Sequence, residues 1–90
     1  MDECQTEVTV VNTHGLHARP AMQFVDTANK FNSEITVSSG DAEMDAKSIM
    51  SVMQLAATRG TVLRMKAQGR DAQEALAALA ELVSKGFGEP

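Results

Sequence analysis

The sequence NTHGLHARPA, at positions 12–21, decides the fold because it joins a predicted strand to a predicted helix through one tight turn. Gly15 permits the positive φ that a sharp turn needs. Pro20 stands where we predict the first position of the helix, since the N–H that proline lacks has no intrahelical partner there. His17 is therefore predicted to lie at a helix N-terminus, where outward-facing amides and the helix dipole favour an anion.

The residue types around this turn suit phosphate chemistry. Imidazole, with an unperturbed pKa of about 6.5, is largely neutral and nucleophilic near neutral pH. Arg19 can bring a planar, permanently charged donor to the same place as His17. The backbone amides of Ala18 and Arg19 can add charge-assisted hydrogen bonds to a new anion. Together these features predict that His17 carries a phosphoryl group.

Composition sets limits on the class of protein. Ninety residues, 43% of them hydrophobic and 3% aromatic, predict a single domain over residues 1–90 with an aliphatic core. We expect loose termini at positions 1–5 and 87–90. The net charge of −4, without a basic stripe, argues against nucleic acid as a partner. The absence of a long apolar run predicts no membrane insertion. The single cysteine, Cys4, cannot form an internal disulfide, which fits a reducing cytoplasm.

Hydrophobic periodicity and turn residues predict four strands and three helices. The predicted strands cover positions 6–11, 34–38, 42–46 and 61–67, the last with Val or Leu inward and charge outward. The predicted helices run from Pro20 to Phe31, from a cap at Ser48 to Arg59-Gly60, and from an Asp71–Glu74 capping box to Gly86. The order β-α-β-β-α-β-α predicts an α+β open-faced sandwich, with a four-stranded antiparallel sheet and three helices on one face.

The second helix carries apolar residues on nearly all sides. Ser48 is a favoured N-cap, and Ile49, Met50 and Met53 follow it. A short helix on a small domain buries only one side. We therefore expect Ile49, Met50 and Met53 to remain exposed and to form a docking surface for another protein.

Two other interpretations of His17 follow from the residues alone. The first is a surface histidine that caps the helix. The second is a metal site shared with His14, which lies three positions earlier. No further His or Cys supplies the remaining ligands of a tetrahedral site, so we expect no metal.

Two motifs on this element order resemble a known family. GLHARPA at positions 15–21 and AKSIM at positions 46–50 are similar to HPr, the histidine-containing phosphocarriers of the bacterial sugar phosphotransferase system. The resemblance extends over about residues 6–83. It implies a carrier that is not itself an enzyme and needs no cofactor, and that acts as a cytoplasmic monomer.

The resemblance also implies roles for individual residues. Nδ1 of His17 would accept the phosphoryl group from phosphorylated enzyme I and pass it to the A domain of a sugar-specific enzyme II. Arg19 matches the arginine on the phosphate side. Ser48 matches the serine that HPr kinase/phosphorylase modifies in some bacterial lineages. The alternative function is a regulatory interaction module that acts mainly through Ser48 and its helix.

Overall fold

The computed structural model of the chain describes residues 3–90. Its elements follow the predicted order. The strands are β1 (Glu3–Thr9), β2 (Glu34–Ser38), β3 (Met44–Asp45) and β4 (Val62–Gln68). The helices are α1 (Ala18–Ala28), α2 (Ile49–Gln54) and α3 (Ala72–Ser84), and a 3₁₀ turn at Gly86–Gly88 follows them.

The four strands form one antiparallel sheet in the order β1-β4-β2-β3. The register of β1 on β4 runs from Glu3 opposite Gln68 to Thr9 opposite Val62. On its other side β4 pairs with β2, and β2 pairs with the short β3. The open-faced α+β sandwich predicted from the sequence is confirmed.

The core lies between the sheet and the helices. On β4 the buried side chains are Leu63, Met65 and Ala67, whereas Val62 is 49% exposed. The prediction that Val62 points inward is therefore wrong, because the alternation in this strand starts one residue later. Helix α3 packs against β1, β4 and α1, and its Leu79 is fully buried. No helix within residues 3–90 is long and apolar enough to cross a membrane.

The first strand corrects one predicted terminus. Positions 3–5 are not loose, since they pair with positions 66–68 of β4 and so use their backbone hydrogen-bonding groups. Positions 1 and 2 lie outside the described residues. The strand also ends at Thr9 rather than at Val11.

Helix α1 begins and ends earlier than predicted. Ala18 is its first residue, so Pro20 occupies the third helical position rather than the first. Proline is still tolerated there, because the first four N–H groups of a helix have no intrahelical acceptor. After Ala28 the amides of Lys30 and Phe31 donate to the carbonyl three residues back, and this tighter turn closes the helix.

Ser48 is confirmed as the N-cap of α2, because its Oγ accepts a hydrogen bond from the Ser51 amide at 3.3 Å. The predicted helix end at Arg59-Gly60 is wrong. Helix α2 ends at Gln54, and Ala56 has a φ of +48°, which turns the chain out of the helix. Strand β3 is also shorter than the predicted 42–46.

The predicted capping box at the start of α3 does not form. Asp71 lies at the N-cap, but its side chain makes no cap hydrogen bond. Its carboxylate instead accepts hydrogen bonds from the amides of Asn32 and Ser33 and from the Ser33 hydroxyl. This tertiary contact ties the start of α3 to the turn before β2.

The predicted loose end at positions 87–90 is also wrong. Phe87 is only 5% exposed and belongs to the core. Thr13 donates its amide N–H to the main-chain oxygen of Pro90 at 2.8 Å. We call positions 86–90 the C-terminal segment. It is held at both ends and lies beside the turn at positions 12–17.

Candidate functional site

The turn before α1 is fastened to the segment that follows α2. Gly15 has a φ of +64°, and a Cβ at this position would collide with the carbonyl oxygen of Ala57. The neighbouring Leu16 is buried and donates its amide N–H to the same oxygen at 2.9 Å. The predicted need for glycine at position 15 is confirmed, and the close approach fixes the position of His17 just beyond it.

His17 is the N-cap residue of α1, with extended backbone angles. Its side chain makes no cap hydrogen bond, so the ring does not act as the helix cap that one interpretation proposed. The ring is 43% exposed, and its Nε2 atom lies 2.8 Å from Oε1 of Glu89. Nδ1 has no hydrogen-bond partner within the described part of the chain.

Glu89 is held by a second donor besides His17. The Nδ2 of Asn12 donates to Oε1 of Glu89 at 3.0 Å and to the carbonyl oxygen of Gly15 at 2.8 Å. Asn12 is 1% exposed, so this donor is fixed in the protein interior. The contacts link a buried amide, a carboxylate and an exposed imidazole in one chain of hydrogen bonds.

The charge of Glu89 favours one tautomer of His17. The hydrogen bond from His17 is the largest cause that lowers the pKa of Glu89 below its ordinary value. Partial burial opposes this shift, while the Asn12 hydrogen bond and the charges of His17 and Arg19 add to it. An ionised carboxylate only accepts hydrogen bonds, so Nε2 must carry the ring proton. Neutral His17 therefore has its lone pair on Nδ1.

A pocket lies beside the ring, and backbone donors for an anion lie in the first turn of α1. A pocket of about 430 Å³ is lined by Thr13, His14, His17, Glu89 and Pro90. The amides of Ala18 and Arg19 lie in the first turn of α1, and among residues 3–90 no acceptor takes them. The Arg19 side chain is exposed and forms no ion pair within that range, but its charge acts on Glu89.

Comparison with known proteins places this site in a family. The family described as "PTS HPr component phosphorylation site" matches residues 4–85. This chain belongs to the HPr family. It is a phosphocarrier of the phosphotransferase system.

Individual relatives agree with this membership. The phosphocarrier protein HPr of Xylella fastidiosa (strain Temecula1 / ATCC 700964) is 48% identical over 83 residues, covering 92% of this chain and 93% of its own. The structure of HPr-C-His from Thermoanaerobacter tengcongensis has a TM-score of 0.93 at 42% identity and covers 97% and 98% of the two chains. A second structure, an HPr dimer from the same organism, has a TM-score of 0.78 at 45% identity and covers 99% and 100%.

This HPr-family site brings together some of the residues predicted from the sequence. His17, Ala18 and Arg19 all lie at the N-terminus of α1. The ring of His14 lies edge-on to that of His17, with 6.0 Å between the centroids. Within residues 3–90 no group of three or more His, Cys, Asp and Glu side chains could hold a metal ion.

The predicted docking residues lie on α2, which packs against α1. Ile49 is 36% exposed, Met50 70% and Met53 42%. Met22 on α1 is also exposed, although it was not among the residues predicted to dock. The predicted exposure of the α2 side chains is confirmed, whereas their role in docking stays a prediction.

Neither Glu89 nor the role of Asn12 was predicted from the sequence. Glu89 lay in a stretch predicted to be loose, and 72 positions separate it from His17. The only local indication was Gly86, which ends α3 with a φ of +65° and turns the chain back towards Asn12. A turn residue of this kind gives a direction but does not identify a partner.

Proposed function

We propose that Nδ1 of His17 is the phosphoryl acceptor of this phosphocarrier. One observation carries the proposal: Nε2 is engaged by Glu89 at 2.8 Å, while Nδ1 has no partner among residues 3–90. The exposed ring also lies at a helix N-terminus, where the dipole stabilises a new anion.

The proposed donor is phosphorylated enzyme I, and the proposed acceptor is the A domain of a sugar-specific enzyme II. The lone pair of Nδ1 attacks phosphorus, the N–P bond forms, and the bond from phosphorus to the donor breaks with its electron pair returning to the donor. The proton on Nε2 stays on the ring. Transfer onward reverses these changes, so the carrier neither gains nor loses a proton over the cycle.

The first turn of α1 supplies the groups that stabilise the phosphorylated ring. The amides of Ala18 and Arg19 are the proposed backbone donors, and the exposed Arg19 guanidinium is the proposed charged donor. These contacts are few, which suits a carrier that must release its phosphoryl group. The partner's active site then supplies most of the positioning for transfer.

A second role at Ser48 is supported by its surroundings. Its Oγ accepts the Ser51 amide at the start of α2, beside the exposed Ile49, Met50 and Met53. A phosphate at a helix N-terminus is electrostatically favourable. We propose that HPr kinase/phosphorylase modifies Ser48, and that the new dianion weakens docking on this apolar surface. In the alternative function, regulation through Ser48 is the main role of the protein and phosphoryl transfer is secondary.

The assembly and its setting complete the proposal. We propose a cytoplasmic carrier that docks on its partners as a monomer through Ile49, Met50 and Met53. The HPr dimer from T. tengcongensis shows that a relative can associate. Analytical sedimentation tests whether the protein is a monomer at the concentration used in the transfer assay. A dimer at that concentration would contradict the proposal.

The proposed acceptor is tested with phosphoenolpyruvate labelled in its phosphate and catalytic enzyme I. We expect a label on the wild-type chain that is lost in mild acid and kept in base, as a phosphoimidazole requires. His17→Ala should take up no label, whereas His14→Ala should still be labelled. Stable labelling of His17→Ala would contradict the proposal.

A further inference from the structure

The side chain of Glu89 is arranged to do more than accept a surface hydrogen bond. It is only 17% exposed, although its partner His17 is 43% exposed. Both of its donors converge on one oxygen, Oε1, and the donor atom of Asn12 is fixed by its second bond to the Gly15 carbonyl. The carboxylate is therefore held in one place before any partner arrives.

The C-terminal segment holds Glu89 from both sides. Phe87 is buried in the core two residues before it. One residue after Glu89, the main-chain oxygen of Pro90 accepts a hydrogen bond from the Thr13 amide. Phe87 has a φ of +58°, a strained conformation for a non-glycine residue that persists only when its surroundings impose it. The fold accepts this strained residue where the chain turns back towards the site.

The contact has two consequences for the chemistry of His17. It keeps the proton on Nε2, so the neutral ring presents its lone pair at Nδ1. After phosphorylation at Nδ1 the ring still holds that proton and carries a positive charge. The carboxylate then lies next to this charge and stabilises it, which keeps a neutral imidazole as the leaving group for the next transfer.

We propose that Glu89 is a positioning residue for phosphoryl transfer, which fixes the Nε2–H tautomer of His17 and balances the charge of the phosphorylated ring. Asn12 has the supporting role of fixing the carboxylate. This inference rests on the proposed function of His17 as acceptor. It adds that the site is built by residues of the turn at positions 12–17 together with the C-terminal segment.

The test uses the full chain labelled with ¹⁵N in histidine, without any partner. Long-range ¹H–¹⁵N spectra recorded well above the ordinary imidazole pKa of about 6.5 report the fraction of each neutral tautomer. We expect Glu89→Ala to raise the Nδ1–H fraction of His17 about fivefold, because a hydrogen bond to a charged acceptor is lost. Glu74→Ala removes an exposed carboxylate on α3 and should change nothing.

Glu89→Gln is the conservative variant that separates position from charge. The Nδ2 of Asn12 still needs an acceptor here, so glutamine should present its oxygen and restore the Nε2–H tautomer. Transfer from phosphorylated enzyme I should fall about fivefold to tenfold in kcat/KM for Glu89→Ala and be restored only in part by Glu89→Gln. Circular dichroism confirms that each variant is folded.

The outcomes distinguish this inference from the proposed function. An unchanged tautomer ratio in Glu89→Ala, or a changed ratio with an unchanged transfer rate, would overturn the role of Glu89. Failure of the proposed function is seen separately, as a phosphoryl group on wild-type protein that peptide mapping finds at a residue other than His17. The inference is supported only if Glu89→Ala shows both a shifted tautomer ratio and slower phosphoryl transfer.

Discussion

The Oε1 atom of Glu89 lies 2.8 Å from Nε2 of His17, although 72 positions separate the two residues. The contact joins the C-terminal segment to the turn that precedes α1. It leaves Nδ1 of His17 as the unpaired ring nitrogen within residues 3–90, on an exposed side chain at a helix N-terminus. The proposed acceptor atom follows from this arrangement.

Arg19→Ala should slow phosphoryl transfer without affecting the fold. The guanidinium is exposed and forms no ion pair in the part of the chain described, so the free energy of unfolding should change by less than about 0.5 kcal/mol. Loss of a charge-assisted hydrogen bond to the phosphoryl group predicts a fall in kcat/KM of roughly tenfold or more. Rapid-quench transfer assays measure the rate. Arg70→Ala, at an exposed turn, is the matched control and should transfer normally.

Leu79→Ala, unlike Arg19→Ala, should destabilise the fold. Leu79 is fully buried between α3 and the sheet, so truncation leaves a cavity and lowers the free energy of unfolding by about 2–5 kcal/mol. Urea denaturation followed by circular dichroism measures the change. Leu82→Ala, which removes a partly buried leucine from the same helix, should cost less. Equal stability of Leu79→Ala and wild type would contradict the core assignment.

Substitutions at Ser48 should separate capping from regulation. Ser48→Ala removes the N-cap oxygen and should cost about 0.5–1 kcal/mol, at the lower end because the bond to Ser51 is long at 3.3 Å. Ser48→Asp keeps a capping oxygen and adds charge beside Met50, so it should stay folded but bind enzyme I more weakly. Calorimetric titration measures that binding. Ser39→Asp, on an exposed turn, should bind normally, and tight binding by Ser48→Asp would contradict regulation through this surface.

Asp71 should make the free energy of unfolding depend on pH in the acid range. The Ser33 hydroxyl and then the Asn32 amide are the largest causes that lower the pKa of Asp71, with burial opposing them and the Ser33 amide adding to them. A lowered folded pKa means that the stabilisation is complete above the unfolded value of about 3.9 and is lost as pH falls through the folded value.

The variant Asp71→Asn tests this dependence. It should be less stable than wild type at pH 7, and the difference should shrink as the pH is lowered below about 4. Urea denaturation across that range gives both curves. Asp41→Asn, in an exposed turn, is the control that should follow wild type. A difference that stays constant with pH would show that the Asp71 contacts do not act through its charge.

The sequence predicted the features that depend on local patterns. The element order, the antiparallel sheet, Gly15 in its turn and Ser48 as a cap all follow from hydrophobic period and from the backbone preferences of single residues. The two motifs around His17 and Ser48 were enough to predict the family.

What the sequence could not predict depends on contacts between distant segments. Asp71 followed by Glu74 has the pattern of a capping box, but the carboxylate of Asp71 instead binds the turn at positions 32–33. Position 87 looked like the start of a tail, but Phe87 fills a place in the core. In both cases a tertiary contact formed in place of the structure that the local sequence pattern predicts. Nothing near these residues in the sequence indicates the partner.

The central claim is that the imidazole of His17 receives the phosphoryl group. Intact-mass spectrometry after incubation with phosphoenolpyruvate and enzyme I, followed by peptide mapping without acid, tests it most directly. We predict one added phosphoryl group in the wild type, found on the peptide that contains His17 and lost after mild acid. Phosphorylation of His17→Ala to the same extent, or an adduct that survives acid, would contradict it.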